Sequence, residues 1–253
     1  MKSNIILGLD IGGTGIKGAL VDVKTGKLVT ERVRYKTPSP AYPEAVAAKV
    51  KQLIEELDYE GDIVGCGFPA IVINGTAKSA SNIHKTWIDT SVSDLFAETT
   101  GKKFVVINDA DAAGVAEAHF GAMKSSEGVS LLLTLGTGIG SALFIDGTLM
   151  PNTEFGHLHL KGQEMVVEKY ASNAIRKKEE LSFEEWASRL NTLLLHLGHL
   201  FSPSKIVLGG GVSKHFDEYK ENFKGLDFPV RPASLFNHAG LIGAAFYASQ
   251  KGL

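Results

Sequence analysis

The 253-residue chain contains a single cysteine, Cys66. It can close no internal disulfide and can build no cysteine-cluster metal site, and a lone thiol fits a reducing compartment. Long apolar runs are missing as well. The run that follows Lys2, at 5–9, is ended by Asp10 after five residues, too short for a signal-peptide core. No stretch approaches the ~20 apolar residues that span a bilayer. The expectation is therefore a cytoplasmic protein with no membrane partner. An excess of charge of either sign is also lacking. Against 26 Lys and Arg stand 28 Asp and Glu, a formal net charge of -2, so no electrostatic feature calls for nucleic acid as a partner. What remains, 44% hydrophobic and 21% charged, is an ordinary globular composition, long enough for one large domain or two lobes.

Apolar runs and turn residues give the element order. Residues 4–10 read as a buried strand closed by Gly12-Gly13, followed by strands at 15–23 and 27–35 joined around Thr25-Gly26. Val46, Val50, Leu53, Ile54 and Leu57 recur at helical spacing and predict a helix over 43–57. A strand at 63–68 stops at Pro69, and a long loop of small polar residues runs to Asp89. Then come a helix at 92–99, a strand at 104–107 and a helix at 110–119. A second hairpin-like pair covers 128–135 and 139–145. A long helix at 183–200, a short buried strand at 206–208 and a terminal helix at 239–249 complete the chain.

An internal repeat decides the fold class. Gly13-Thr14-Gly15-Ile16 recurs as Gly136-Thr137-Gly138-Ile139, and at the same offset Ala19-Leu20 matches Ala142-Leu143. The spacing predicts a duplicated α/β unit with mixed sheets, its two glycine turns facing each other across a cleft.

Four groups of residues could carry chemistry. In Asp10-Ile11-Gly12-Gly13-Thr14-Gly15 the glycines expose backbone N–H groups that can cradle phosphate oxygens, Lys17 offers a point charge, and Asp10 suits Mg²⁺ held through water. The same glycines could form a plain turn, but the twin at Gly136, Thr137 and Gly138 points to a clamp. They lead into a strand, unlike a Walker loop or a dinucleotide fingerprint. Asn108-Asp109 follows a strand and precedes a helix, where Asp109 could serve as a general base in phosphoryl transfer or as the helix cap. Glu154, His157 and Glu168 could hydrogen-bond several sugar hydroxyls. His159 makes a His-x-His pair with His157, without further ligands for a metal. His196 and His199 read as packed helix residues. Gly209-Gly210-Gly211 opens a helix and is either a phosphate seat or a tight turn.

The succession Asp10-Ile11-Gly12-Gly13-Thr14, Asn108-Asp109-Ala110-Asp111-Ala112-Ala113, Gly136-Thr137-Gly138-Ile139-Gly140, Glu154-Phe155-Gly156-His157 and Gly209-Gly210-Gly211-Val212-Ser213 resembles the ROK group of sugar kinases and repressors through nearly the whole chain. Three further segments resemble the polyphosphate glucokinase branch of that family: 81–88 around Trp87, 143–154 with Pro151, and 237–245. The resemblance implies the actin-like, ribonuclease-H-like ATPase fold. Its lobes would be 1–108 with a terminal helix from about 237 to 253, and 109–236. It also implies Asp109 as the base on the glucose 6-hydroxyl, with Asn82, Asn108, Glu154, His157 and Glu168 on the sugar. Asp10, the two glycine turns and the glycines at 209–211 would hold a polyphosphate or ATP donor, and the protein would be a homodimer.

One departure from the family stands out. The Cys-x-Cys-Gly-x-x-Gly-Cys zinc run of many ROK proteins is missing between His157 and Glu168, so no zinc is expected. A ROK repressor would place a helix-turn-helix ahead of the first phosphate motif, where this sequence has nine residues, so an enzyme is expected. An ATP-dependent kinase for mannose, fructose or an N-acetylated hexose is the alternative reading, and an actin-like or chaperone-type ATPase would need no sugar group. Lys17, Lys85, Lys124, Arg176, Lys177 and Lys178 are the cations that could meet a polyphosphate chain, the last three also suiting a solvated helix face.

Overall fold

The computed structural model describes residues 4–251; Lys2 and the last two residues of the expected terminal segment lie outside them. The chain divides into two compact units. Unit 1 runs to Ala116 and takes up the chain again from His238, and unit 2 is Glu117–Asn237. The division falls later than the 108/109 boundary expected from sequence.

Unit 1 begins with a tight antiparallel hairpin, β1 (Ile5–Ile11) and β2 (Ile16–Asp22), in register from Ile5↔Asp22 to Ile11↔Ile16. The single strand expected over 27–35 is two, β3 (Lys27–Leu28) and β4 (Val33–Tyr35), both paired with β2. The break has a local cause: the Thr30 hydroxyl accepts the hydrogen bond from the Leu20 amide. Helix α1 (Pro43–Glu56) opens on a proline, whose missing N–H costs nothing there, and buries Val46, Val50, Leu53 and Ile54. Strand β5 (Ile63–Phe68) lies parallel to β1.

The long loop expected to Asp89 is partly ordered. Strands β6 (Val72–Ile73) and β7 (Thr76–Ala77) form a hairpin across Asn74-Gly75, both at positive φ. Asn-Gly between β-branched residues is the usual signal for such a two-residue turn. Helix α2 (Val92–Thr100) follows, capped by the Ser91 side chain and ended by Gly101. Strand β8 (Lys103–Asn108) extends the sheet parallel to β5, and helix α3 (Asp109–Phe120) leads out of it.

Unit 2 repeats the pattern. Strands β9 (Val129–Leu135) and β10 (Ile139–Ile145) pair antiparallel, β11 (Thr148–Met150) adds to β10, and short helices α4 (Glu168–Ala171) and α5 (Asn173–Lys178) precede the long helix α6 (Phe183–Phe201). A capping box between Ser182 and Glu185 starts α6, and Trp186, Leu190, Leu193, Leu194 and Leu197 bury its apolar stripe in the unit 2 core with Leu131, Leu133, Ile206 and Leu208. Strands β12 (Lys205–Gly209) and β13 (Val230–Pro232) complete the sheet in parallel. The strand orders are β3-β2-β1-β5-β8 and β11-β10-β9-β12-β13, each a run of three antiparallel strands extended by two parallel ones. The repeat legible in eight residues is thus a duplication of the whole sheet, as the actin-like fold requires.

The last helix, α7 (Ala239–Lys251), returns to unit 1 and packs on its strands at backbone distance. A Cβ at Gly8 of β1 would lie 2.1 Å from the Leu241 carbonyl oxygen, and one at Gly65 of β5 would lie 2.0 Å from that of Ala244. Gly243, on α7 itself, meets the Ala112 carbonyl of α3 in the same way, at 1.7 Å. The contact leaves no room for any side chain at these three positions. Gly65→Ala should therefore lower stability by about 1–3 kcal/mol, the usual cost of overpacking. Urea unfolding measures it, and an unchanged midpoint would show that α7 is not pinned there.

Candidate active site

The first glycine turn joins β1 to β2. It is closed by a hydrogen bond from the Gly12 amide to the Gly15 carbonyl (2.9 Å), and the buried Thr37 hydroxyl donates to the Gly12 carbonyl (2.6 Å). Gly13 and Thr14 remain exposed at the tip. Asp10 and Lys17 sit opposite each other in the hairpin register, and their side chains form an ion pair of 2.6 Å, half withdrawn from solvent. The sequence assigned these residues to a cation and to a phosphate separately; here the pair holds both charges at the mouth of the turn. Gly240 of α7 packs against the Asp10 carboxyl. Asn82 reaches the turn with its backbone, since a Cβ at Gly13 would lie 2.5 Å from the Asn82 carbonyl oxygen. Its segment is anchored by the buried Trp87, whose indole N–H donates to the Ala41 carbonyl.

At the end of β8 the two roles left open for Asp109 separate. The cap of α3 is Asn108: its side-chain oxygen accepts from the amides of Ala110 (2.9 Å) and Asp111 (3.1 Å), and its amide donates to the Ala70 carbonyl. Asn108 is buried, and Asp109 is the half-buried first residue of the helix, its Oδ1 accepting from the Ala110 amide at 2.8 Å. Fixing the helix end through Asn108 sets the direction of the Asp109 carboxylate.

In unit 2 the second turn is closed between the Gly136 amide and the Gly138 carbonyl, one residue tighter than the first. Glu168, at the start of α4, lies on it: a Cβ at Gly138 would be 2.3 Å from Glu168 Oε2. Lys169 is 3.4 Å from the other oxygen, and the Trp186 indole donates to the carbonyl of Ala171, fixing the end of α4. Glu154 and His157 belong to a single turn, with Nδ1 of His157 at 3.8 Å from Glu154 Oε2. That turn is held to β10 by the buried Ser141, whose hydroxyl donates to the Thr153 carbonyl and accepts from the Phe155 amide. Burial pushes the Glu154 carboxyl above the ordinary glutamate range and Glu168 pushes the same way, with His157 opposing them. Glu154, His157 and Glu168, separated in sequence, are electrostatic neighbours.

The glycines at 209–211 are placed differently. Gly210 takes φ +84°, with the Leu135 carbonyl oxygen 2.5 Å from where a Cβ would stand. The helix expected after it is an irregular 3-10 helix over Gly211–Glu218, broken at His215. A tight turn against β9 accounts for Gly210 by itself. Among the cation candidates, Arg176 is engaged, its guanidinium over the Phe183 ring at 4.4 Å and its Nε donating to Asn173. Lys85, Lys124, Lys177 and Lys178 are exposed. His157 and His159 are both exposed, and among the described residues no group of three potential ligands could hold a metal ion. Thr37 and Ser141 were not legible as site residues: each acts by a hydrogen bond to backbone far away in sequence.

A profile of the ROK family matches residues 6–168, from the first strand to Glu168. The chain belongs to the ROK family. The polyphosphate glucokinase of Mycobacterium tuberculosis (strain CDC 1551 / Oshkosh) is 41% identical over 239 residues, 94% of this chain and 89% of that one. Among solved structures, the inorganic polyphosphate/ATP-glucomannokinase of Arthrobacter sp. strain KM is 44% identical, with a TM-score of 0.93 over 98% of this chain and all of the other. A ROK glucokinase from Streptomyces griseus, solved with glucose and AMPPNP, is 25% identical with a TM-score of 0.84 over 97% of this chain and 99% of that one. ROK sugar kinases share the two-lobed actin-like fold described above. No described helix of this family member is long and apolar enough to cross a membrane.

The raised carboxyl of Glu154 makes a pH prediction. A folded-state pKa above the ordinary value contributes stability that is present below the ordinary glutamate range and lost as pH rises through the raised value. Glu154→Gln should therefore melt higher than the parent at neutral pH, the gap closing as pH falls into the ordinary glutamate range. Melting curves from about pH 4 to about pH 8 check it, and a gap that widens towards acid would refute the assignment.

Proposed function

We propose that the protein transfers a phosphoryl group from inorganic polyphosphate, and also from ATP, to the 6-hydroxyl of glucose. The observation that carries this reading is the likeness at 41% and 44% identity, over nearly the full length of each chain, to two kinases whose names both specify polyphosphate. The site residues match that chemistry. The exposed tip of the 12–15 turn offers backbone N–H groups to phosphate oxygens, with Lys17 beside them. The turn at 136–138 supplies a second such surface, where Lys169 offsets the charge of Glu168. The glycines at 209–211 contribute to ATP use. Asp109 takes the proton of the attacking hydroxyl, and Asn82, Asn108, Glu154, His157 and Glu168 recognise the sugar hydroxyls.

Phosphoryl transfer asks the protein mainly for positioning and charge stabilisation. The donor brings Mg²⁺, which neutralises developing charge on the transferred group. One carboxylate at the mouth of a phosphate turn fits this ion, which keeps most of its waters and takes one or two protein ligands. Asp10 is that carboxylate. Zinc has no place in the reading, because His157 stands without the family's cysteines. Mannose is a second acceptor to test, since the Arthrobacter relative is named a glucomannokinase. The family likeness extends the proposal to a homodimer working in the cytoplasm.

Two measurements test the proposal. Comparing kcat/KM for glucose phosphorylation with polyphosphate and with ATP should give polyphosphate at least equal efficiency; brisk ATP activity with none from polyphosphate would leave an ordinary ATP glucokinase. Asp109→Asn should bind glucose nearly as well as the parent but turn over at least ~100-fold more slowly. Near-normal turnover in that variant would remove Asp109 from the chemistry.

A further inference from the structure

Among the described residues strand β4 pairs with β2 alone, and its residues alternate in exposure. Val33 and Tyr35 are half-buried and Arg34 is exposed, and the exposed Arg32 and Lys36 flank the strand on either side, so three cations stand at alternate positions along this segment. Arg34 lies directly opposite Lys17 in the β2–β4 register. Like charges so placed are about 5 Å apart at Cβ and destabilise a sheet unless something offsets them. Lys17 is offset by Asp10 at 2.6 Å. Among the described residues Arg34 has no carboxylate within ion-pair distance.

The Arg34 side chain nevertheless has a defined place. It lies across Gly15, where a Cβ would meet Nε at 2.8 Å and Nη2 at 3.2 Å. Gly15 is buried, although Gly13 and Thr14 beside it are exposed. An uncompensated guanidinium is thus held against the turn whose N–H groups are open to an anion. Basic residues on an edge strand also discourage pairing with another sheet, but that purpose requires no guanidinium over Gly15.

We propose that Arg34 binds the phosphoryl donor, and that Arg32 and Lys36 extend its binding to a phosphate chain running along the open face of β4. The planar fork of Arg34 takes two oxygens of a phosphate at once. Alternate residues of an extended chain recur every ~6.5–7 Å, so Arg34 and the two cations that flank its strand reach several units of a chain that is charged throughout. ATP, whose charge ends at the adenosine, uses the first of them. This rests on the reading of the protein as a polyphosphate-using kinase.

The test compares the wild type with Arg34→Ala, Arg34→Lys and the double variant Arg32→Ala/Lys36→Ala. Steady-state rates are taken with ATP, tripolyphosphate and long-chain polyphosphate. Calorimetric binding of long-chain polyphosphate without glucose, at low and high salt, gives a readout separate from activity. Arg34→Ala should raise KM for both polyphosphates and weaken long-chain binding by ~10-fold or more, the loss of one charge-assisted contact. Its binding should also depend less on salt, with KM for glucose unchanged and only partial recovery in Arg34→Lys. The double variant should weaken long-chain binding and leave tripolyphosphate and ATP unaffected.

Binding and KM within about twofold of wild type in a folded Arg34→Ala protein would overturn the role of Arg34. Equal losses for all three donors in the double variant would overturn the extended tract. If Arg34→Ala melts early, Arg34→Gln, which keeps most of the stem, takes its place. A wild type that neither uses nor binds polyphosphate would instead refute the functional reading, and an unchanged KM for ATP in Arg34→Ala would then exclude Arg34 as well.

Discussion

The packing of α7 on the strands of unit 1 is the contact on which the site-bearing parts of that unit depend. A helix usually rests on a sheet through side chains, at a distance that tolerates exchange of one apolar residue for another. Here Gly8, Gly65 and Gly243 bring backbone onto backbone, so the spacing is fixed by peptide groups that cannot be repacked. Three site elements are registered by that one helix: β1, which ends in Asp10 and its turn; β5, which carries the sheet to β8 and Asn108; and α3, which begins with Asp109. Gly240 extends the same contact to the Asp10 carboxyl itself.

The duplicated sheets have drifted apart chemically around a shared geometry. The first turn is bordered by Lys17 and Arg34, with Asp10 balancing one of the two. The second is bordered by Glu168, with Glu154 close enough to feel its charge. Cations suit an anionic chain, and acceptor carboxylates suit the hydroxyls of a neutral sugar. Both surfaces rest on buried hydroxyls, Thr37 beneath the first and Ser141 beside the second, that hold backbone carbonyls and so keep the charged groups in place.

Much of this was legible in the sequence because it depended on local patterns. The strands at 63–68 and 139–145 are apolar runs bounded by turn residues, and their ends agree with the structure. The repeat revealed the duplication because glycine turns tolerate little substitution. Features decided by distant partners were hidden. Nothing near Thr30 announces that its hydroxyl will displace a ladder bond at Leu20. The choice of Asn108 over Asp109 as cap depends on the Ala70 carbonyl, which anchors the Asn108 amide. The Asp10–Lys17 pair follows from hairpin register, which was available in principle once the four-residue turn was recognised. The hairpin at Asn74-Gly75 was also signalled, and was obscured by the small polar residues around it. At 209–211 the sequence left two roles open, because a tight approach to Leu135 requires the same residue as a phosphate seat.

The discontinuity of unit 1 has a consequence for the order in which the molecule is made. Unit 2 is one uninterrupted stretch, Glu117–Asn237, and all of its strands and helices leave the ribosome together. Unit 1 is begun first and finished last: the glycine-lined faces of β1 and β5 wait uncovered until α7 has been synthesised. Through that interval the nascent chain carries an open, apolar face of a mixed sheet, the kind of surface that binds chaperones or other chains. Gly240 packs against the Asp10 carboxyl, so the surroundings of its turn take their final form with the arrival of α7, after unit 2 has had time to fold.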